Sequence, residues 1–75
     1  MKQESSDLYL CAFVIASGHL IAGSRRQGRQ VLFGFEIENE QWDALRQSFH
    51  SGDGQVPGLA MALATKALKS LISIT

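Results

Sequence analysis

The chain has 75 residues, which is one domain, and at that length folding buries only about 60 to 65% of the surface an unfolded chain exposes, so an efficient core or a partner is needed. Seven basic and seven acidic residues cancel to a formal net charge of zero, which argues against a protein that coats nucleic acid through bulk positive charge. The single cysteine, Cys11, excludes an intramolecular disulfide, and no run reaches the roughly 18 to 20 apolar residues of a membrane-spanning helix, so a reducing, cytoplasmic setting is expected.

Residues 1–6 are polar and read as a frayed terminus. Ser6 or Asp7 can cap a helix, and Gly18 can end one, which brackets Leu8 to Ser17. The run Leu-Tyr-Leu-Cys-Ala-Phe-Val-Ile-Ala inside those limits has almost no polar side. A helix apolar all round is buried on more than one face, here against a hairpin on one side and another helix, from this chain or a second copy, on the other. A strand is the rival reading, given Val, Ile, Phe and Tyr; the caps and the length favour the helix. The same run resembles a short signal-peptide core, with Val14 and Ala16 near a cleavage point, but Glu4 and Asp7 stand where that signal requires positive charge.

His19 to Ile37 reads as a β-hairpin. Val31, Phe33, Phe35 and Ile37 recur at every second position, which places them on one face of a strand. Leu20 and Ala22 alternate with Ile21 and Gly23 in the other arm. A two-residue turn at Gln27-Gly28, with glycine supplying positive φ, predicts Arg26 opposite Arg29, Ser24 opposite Val31, Ala22 opposite Phe33 and Leu20 opposite Phe35. A four-residue loop from Arg26 to Arg29 gives the same register; a three-residue loop would turn one arm over.

Asn39 opens the next helix, with Glu40, Gln41 and Asp43 in a first turn where negative charge suits the helix dipole. Trp42, Leu45 and Phe49 form its apolar stripe, and the helix stops near His50, before the loop Ser51-Gly52-Asp53-Gly54. Pro57 suits the first turn of a final helix from Leu59 to about Ile74. There Thr65, Lys66, Lys69, Ser70 and Ser73 gather on one side, while Met61, Leu63, Ala64, Leu68, Leu71 and Ile72 spread over the rest. That apolar arc is wider than one small core requires, so these six are the candidate subunit interface of a homodimer or larger complex. The order α, β, β, α, α makes the fold α+β: a single small domain over residues 7–75, with an antiparallel hairpin packed against helices.

Asp7-Leu8-Tyr9-Leu10-Cys11-Ala12-Phe13, then Gly18-His19, then Gly28-Arg29-Gln30-Val31-Leu32-Phe33-Gly34-Phe35-Glu36 resembles a family of very small bacterial and phage or mobile-element proteins known only as a domain of unknown function. The likeness covers about residues 7 to 50 and lies in structural motifs: an Asp-Leu-Tyr-Leu-Ala-Ala opening, a Lys-Gly-His step and a basic hairpin closing on Phe-x-Phe. Ser17 departs from the lysine common before Gly-His, and the Ala-rich final helix has no match. The resemblance implies a compact module encoded near mobile DNA and transfers no catalytic residues.

Little in the chain points to catalysis. His19, His50 and Cys11 lie in separate elements without metal-site spacing, and Cys11 between Leu10 and Ala12 reads as a buried, inert thiol. Glu36, Glu38, Glu40 and Asp43 could supply an acid-base pair, but a strand end and a helix N-terminus already account for them. Residues 51–54 lack the lysine of a P-loop and the spacing of a dinucleotide fingerprint. No enzyme activity, metal or cofactor is expected. What stands out is charge at the hairpin tip: Arg25, Arg26 and Arg29, with Gln27 and Gln30 between them, offer donors suited to phosphate oxygens, and a two-stranded ribbon can enter a nucleic-acid groove. The bland alternative is that charged tips face water and block edge pairing. Three phosphate contacts give weak, salt-sensitive binding, so a dimer or assembly would have to supply the rest. The competing expectation is a protein-interaction module, such as a phage-type inhibitor or assembly subunit, using the final helix and the acidic segment Glu36 to Asp43.

Overall fold

The computed structural model describes residues 2–52 and 56–74. The elements run β1 (Lys2–Ser5), α1 (Leu8–Ala16), β2 (Gly23–Gln27), β3 (Gln30–Glu36), α2 (Asn39–Ser51) and α3 (Gly58–Ile74). The fold is α+β, with the expected helix-strand-strand-helix-helix order preceded by one more strand. The sheet is antiparallel in the order β1-β3-β2, so β3 is central.

Local chemistry sets the ends of α1. The Asp7 carboxylate accepts hydrogen bonds from the backbone N–H of Tyr9 and Leu10, both at 3.1 Å, filling two donors that a helix N-terminus leaves open. At the other end the N–H of His19 donates to the Val14 carbonyl (3.3 Å) and that of Gly18 to the Ile15 carbonyl (3.0 Å), the paired bonds of a Schellman stop. Between these caps Leu10, Cys11, Ala12, Phe13 and Val14 are all buried. The partner on the far side is α3 of the same chain, which packs along α1 and sends Ala64 and Leu68 into the cluster that also holds Val31, Phe33, Phe35 and Ile37. Phe13 meets Phe49 of α2 at 5.6 Å between ring centroids, and Phe35 meets Trp42 at 5.9 Å, so the expected stripe of α2 does close the core. Helix α1 thus sits in the middle of the core, against α3, α2 and β1.

Three readings need correction. Residues 2–5 are a strand, paired to β3 with Lys2 opposite Glu36, Gln3 opposite Phe35, Glu4 opposite Gly34 and Ser5 opposite Phe33. Gln3 secures it further, its amide donating to the Ile37 carbonyl (3.3 Å) and to the Asn39 side chain, which is therefore no helix cap; α2 starts at Asn39 behind Glu38. The hairpin register is also shifted by two: Gln27 pairs with Gln30, Arg26 with Val31, Arg25 with Leu32, Ser24 with Phe33 and Gly23 with Gly34. The turn is Gly28-Arg29, with Gly28 at φ +62° and no non-glycine residue at positive φ among the described residues. A type I′ turn at Gln27-Gly28 would demand positive φ of Gln27 as well, whereas the observed placement asks it of glycine alone. A slip of two keeps the side chains of the paired residues on their expected faces. Finally, residues 19–22 are not strand, and Leu20, expected opposite Phe35, is 87% exposed.

Alternation along β3 then divides the sheet. Val31, Phe33 and Phe35 point inward to the helices, and Leu32, Gly34 and Glu36 point outward. Gly34 carries no side chain at the middle of that outer face, and the Lys2 chain lies over it; a Cβ there would stand 2.7 Å from Lys2 Cε.

The last two elements follow their expected limits. Helix α2 ends at Ser51 with Gly52 as its left-handed cap, and Asp53 and Gly54 of the expected loop lie outside the described residues. Pro57 precedes α3, its carbonyl accepting the Met61 N–H at 3.1 Å.

Candidate nucleic-acid interface

The segment Ser24 to Gln30 is exposed throughout, and burial begins at Val31. The hairpin therefore ends in a polar, arginine-bearing extension of a three-stranded sheet. The β2–β3 ladder pairs its backbone out to Gln27 and Gln30, whereas β1 reaches only as far as Phe33, so residues 25–30 extend past the third strand as a two-stranded ribbon.

Within that extension the three arginines differ. Arg29 occupies the second turn position and faces solvent. Arg26 lies opposite Val31, hence on the side of the sheet that carries the helices, beyond the edge of the core. Arg25 lies opposite Leu32 on the outer face, with Gln27 opposite Gln30 on that same face. The tip thus presents cations in different directions. The expected Arg26–Arg29 opposition is absent.

Arg25 reaches across the sheet to Glu4. Its Nε donates to one Glu4 carboxylate oxygen at 2.8 Å and its Nη2 to the other at 3.1 Å, a forked pair at the surface. The hydrogen-bonded Arg25 guanidinium holds the Glu4 carboxyl below its ordinary range, and Glu4 in turn raises Arg25. Residues 4 and 25 sit on the two outer strands, which ladder spacing sets about 9.6 Å apart. Glu4 stands in the row of Gly34 and Arg25 in that of Leu32, so their long side chains meet obliquely across the outer face of β3. Glu4 was not legible as a site residue: the run Lys2-Gln3-Glu4-Ser5 has the strand period, with both charges on one face, but no apolar residue to announce it.

The remaining candidates are dispersed. Among the expected interface residues of α3, Ala64 and Leu68 are buried in this chain's own core and Met61 and Leu71 pack against it, whereas Leu63 and Ile72 are exposed. Leu59 and Ile74, 73% and 81% exposed, join Leu63 on the outer side. Glu36, Glu38, Glu40 and Asp43 are exposed from the end of β3 into the first turns of α2.

The thiol of Cys11 is buried, its Sγ 3.6 Å from the Ser5 carbonyl, and burial pushes it up to about 11. His19 lies 3.4 Å from the Gln41 amide, and His50 sets its ring against the edge of Phe49. Among the described residues no group of three or more His, Cys, Asp or Glu side chains could hold a metal ion, and no helix is long and apolar enough to cross a membrane. A cleft of about 300 Å³ lined by Glu4, Ser5, Asp7, Leu10, Trp42, Arg46 and His50 mixes both signs of charge, with Asp7 engaged as a cap and Glu4 with Arg25. No family model matches the chain, and neither does any curated protein or solved structure.

Proposed function

We propose that this chain is a non-enzymatic accessory module that grips a nucleic-acid backbone through the end of its β2–β3 hairpin. The observation that carries the reading is the continuous exposure of Ser24 to Gln30, where Arg25, Arg26 and Arg29 stand among the amides of Gln27 and Gln30 on a two-stranded ribbon. Guanidinium groups pair with phosphate oxygens by forked, charge-assisted bonds, and amides add donors without charge. Because the arginines diverge, they suit successive phosphates along a backbone better than one enclosed anion. Few contacts mean modest affinity, so a homodimer or a larger nucleoprotein complex in the cytoplasm completes the grip. The likeness of residues 7–50 to the small phage and mobile-element family supports an accessory role near mobile DNA.

Fluorescence anisotropy with short single- and double-stranded DNA and RNA, at about 50 and 200 mM salt, tests this. Weak binding that falls steeply with salt is expected, and the double variant Arg26→Ala/Arg29→Ala should flatten the salt dependence by nearly two phosphate contacts, about 0.9 each on duplex DNA. Binding that the double variant leaves unchanged, or no binding at all, overturns the proposal.

One observation favours a second reading. Leu59, Leu63 and Ile74 are exposed on the outer side of α3, which carries Lys66 and Lys69 and no carboxylate. A protein partner docked there would make the chain an interaction module of the inhibitor or assembly-subunit kind. Leu63→Asp would abolish that association and leave nucleic-acid binding intact.

A further inference from the structure

The forked pair between Arg25 and Glu4 has the geometry arginine uses on phosphate: two parallel N–H donors, here at 2.8 and 3.1 Å, aimed at two oxygens of one anion. Both partners are open to water, the side chains being 53% and 30% exposed. A competing anion can therefore reach Arg25 without opening the core. Lys2, whose charge also acts on Glu4, lies on the same face over Gly34, so a second cation is at hand for the carboxylate if Arg25 leaves it.

We infer that Glu4 belongs to the anion site, as an internal carboxylate that occupies Arg25 in the free protein and is displaced by a phosphodiester when the hairpin end docks on a polyanion. The inference rests on the backbone-contact reading and adds a source of specificity to it. A tethered carboxylate competes at an effective concentration of roughly millimolar or more, so a lone phosphate ion below that level leaves the pair closed. A strand already engaged by Arg26 and Arg29 presents its next phosphate to Arg25 at a comparable effective concentration. Polymers are thereby favoured over single anions.

The test compares wild type with Glu4→Gln, which keeps the side-chain shape and removes the charge, in anisotropy titrations on a short duplex DNA and its RNA counterpart. Glu4→Gln is expected to bind about two- to fivefold tighter, as an exposed ion pair of ordinary strength would give, with a salt dependence steeper by up to about 0.9. In an Arg25→Ala background the gain should vanish, because Glu4 then has nothing to release. Glu40→Gln, which removes the same charge from α2, should give no comparable gain. Glu4→Thr, which favours a strand, repeats the measurement if the glutamine variant loosens β1. Wild type that binds while Glu4→Gln binds no tighter, or a gain that survives in Arg25→Ala, overturns the internal competitor and leaves the backbone-contact reading standing. If neither wild type nor Glu4→Gln binds, both fall.

Discussion

Cys11 shows how a buried group reports on folding. Burial disfavours the thiolate and pushes its thiol from an ordinary value of 9.0 up to about 11. The folded state therefore keeps its proton over a range in which the unfolded chain loses it. The resulting stability is fully present below pH 9 and is lost as pH climbs towards 11, since deprotonation then favours unfolding. Denaturant titrations across that window should show a falling midpoint, and Cys11→Ala should flatten the fall. Alkylation of native protein at neutral pH should be slow, and fast once denaturant is added. Asp7 makes a simpler case: Asp7→Ala removes two N-terminal hydrogen bonds and should cost about 1 kcal/mol, read as a shift in the denaturant midpoint.

At the scale of elements, α3 separates two kinds of leucine. Leu68 is fully buried against α1 and the sheet, so Leu68→Ala should destabilise by about 2 to 5 kcal/mol through lost transfer energy and the cavity left behind. Leu63 faces outward, and Leu63→Ala should stay within about 0.5 kcal/mol. Thermal melts of the two variants check both values. The hairpin has a comparable weak point at Gly28: a valine there must enter the left-handed region at a cost of about 1 to 2 kcal/mol, and Gly28→Asn should be milder.

What could be read from the sequence divides along the same physical line. Helix α1 was legible because Asp7 and Gly18 close it at both ends, and β3 because Val31, Phe33 and Phe35 keep a strict alternation. Strand β1 was not, because Lys2-Gln3-Glu4-Ser5 is held by ladder bonds to β3 and by the Glu4 and Gln3 side chains, none of which leaves an apolar pattern. Leu20 misled in the opposite sense, since an apolar residue just past a helix end need not be buried. The hairpin end as an exposed, basic feature followed from Arg25, Arg26 and Arg29; the tie from Arg25 to Glu4 did not, because it depends on an outer strand 21 positions away in the chain. The breadth of the apolar arc on α3 was read as surplus for a partner. Much of it is spent inside the chain, where Ala64 and Leu68 face α1.

For the molecule as a whole, size sets the tolerance. The net stability of so small a domain is of the same order as one large core truncation, so Phe33→Ala or Phe35→Ala, at about 3 to 5 kcal/mol each, should leave the chain largely unfolded at 37 °C by circular dichroism. The formal charge of zero and a pI near 6.7 put minimum solubility close to neutral pH, where opposed acidic and basic regions of neighbouring molecules attract.

The central place of α1 also governs how the polypeptide is made. The side chain that closes over its greasiest stretch, Leu68, is translated more than fifty residues after it. At about 5 to 20 residues per second, several seconds of synthesis separate the two. Tertiary structure therefore arrives all at once, when α3 is made, and not by stepwise growth from the first helix.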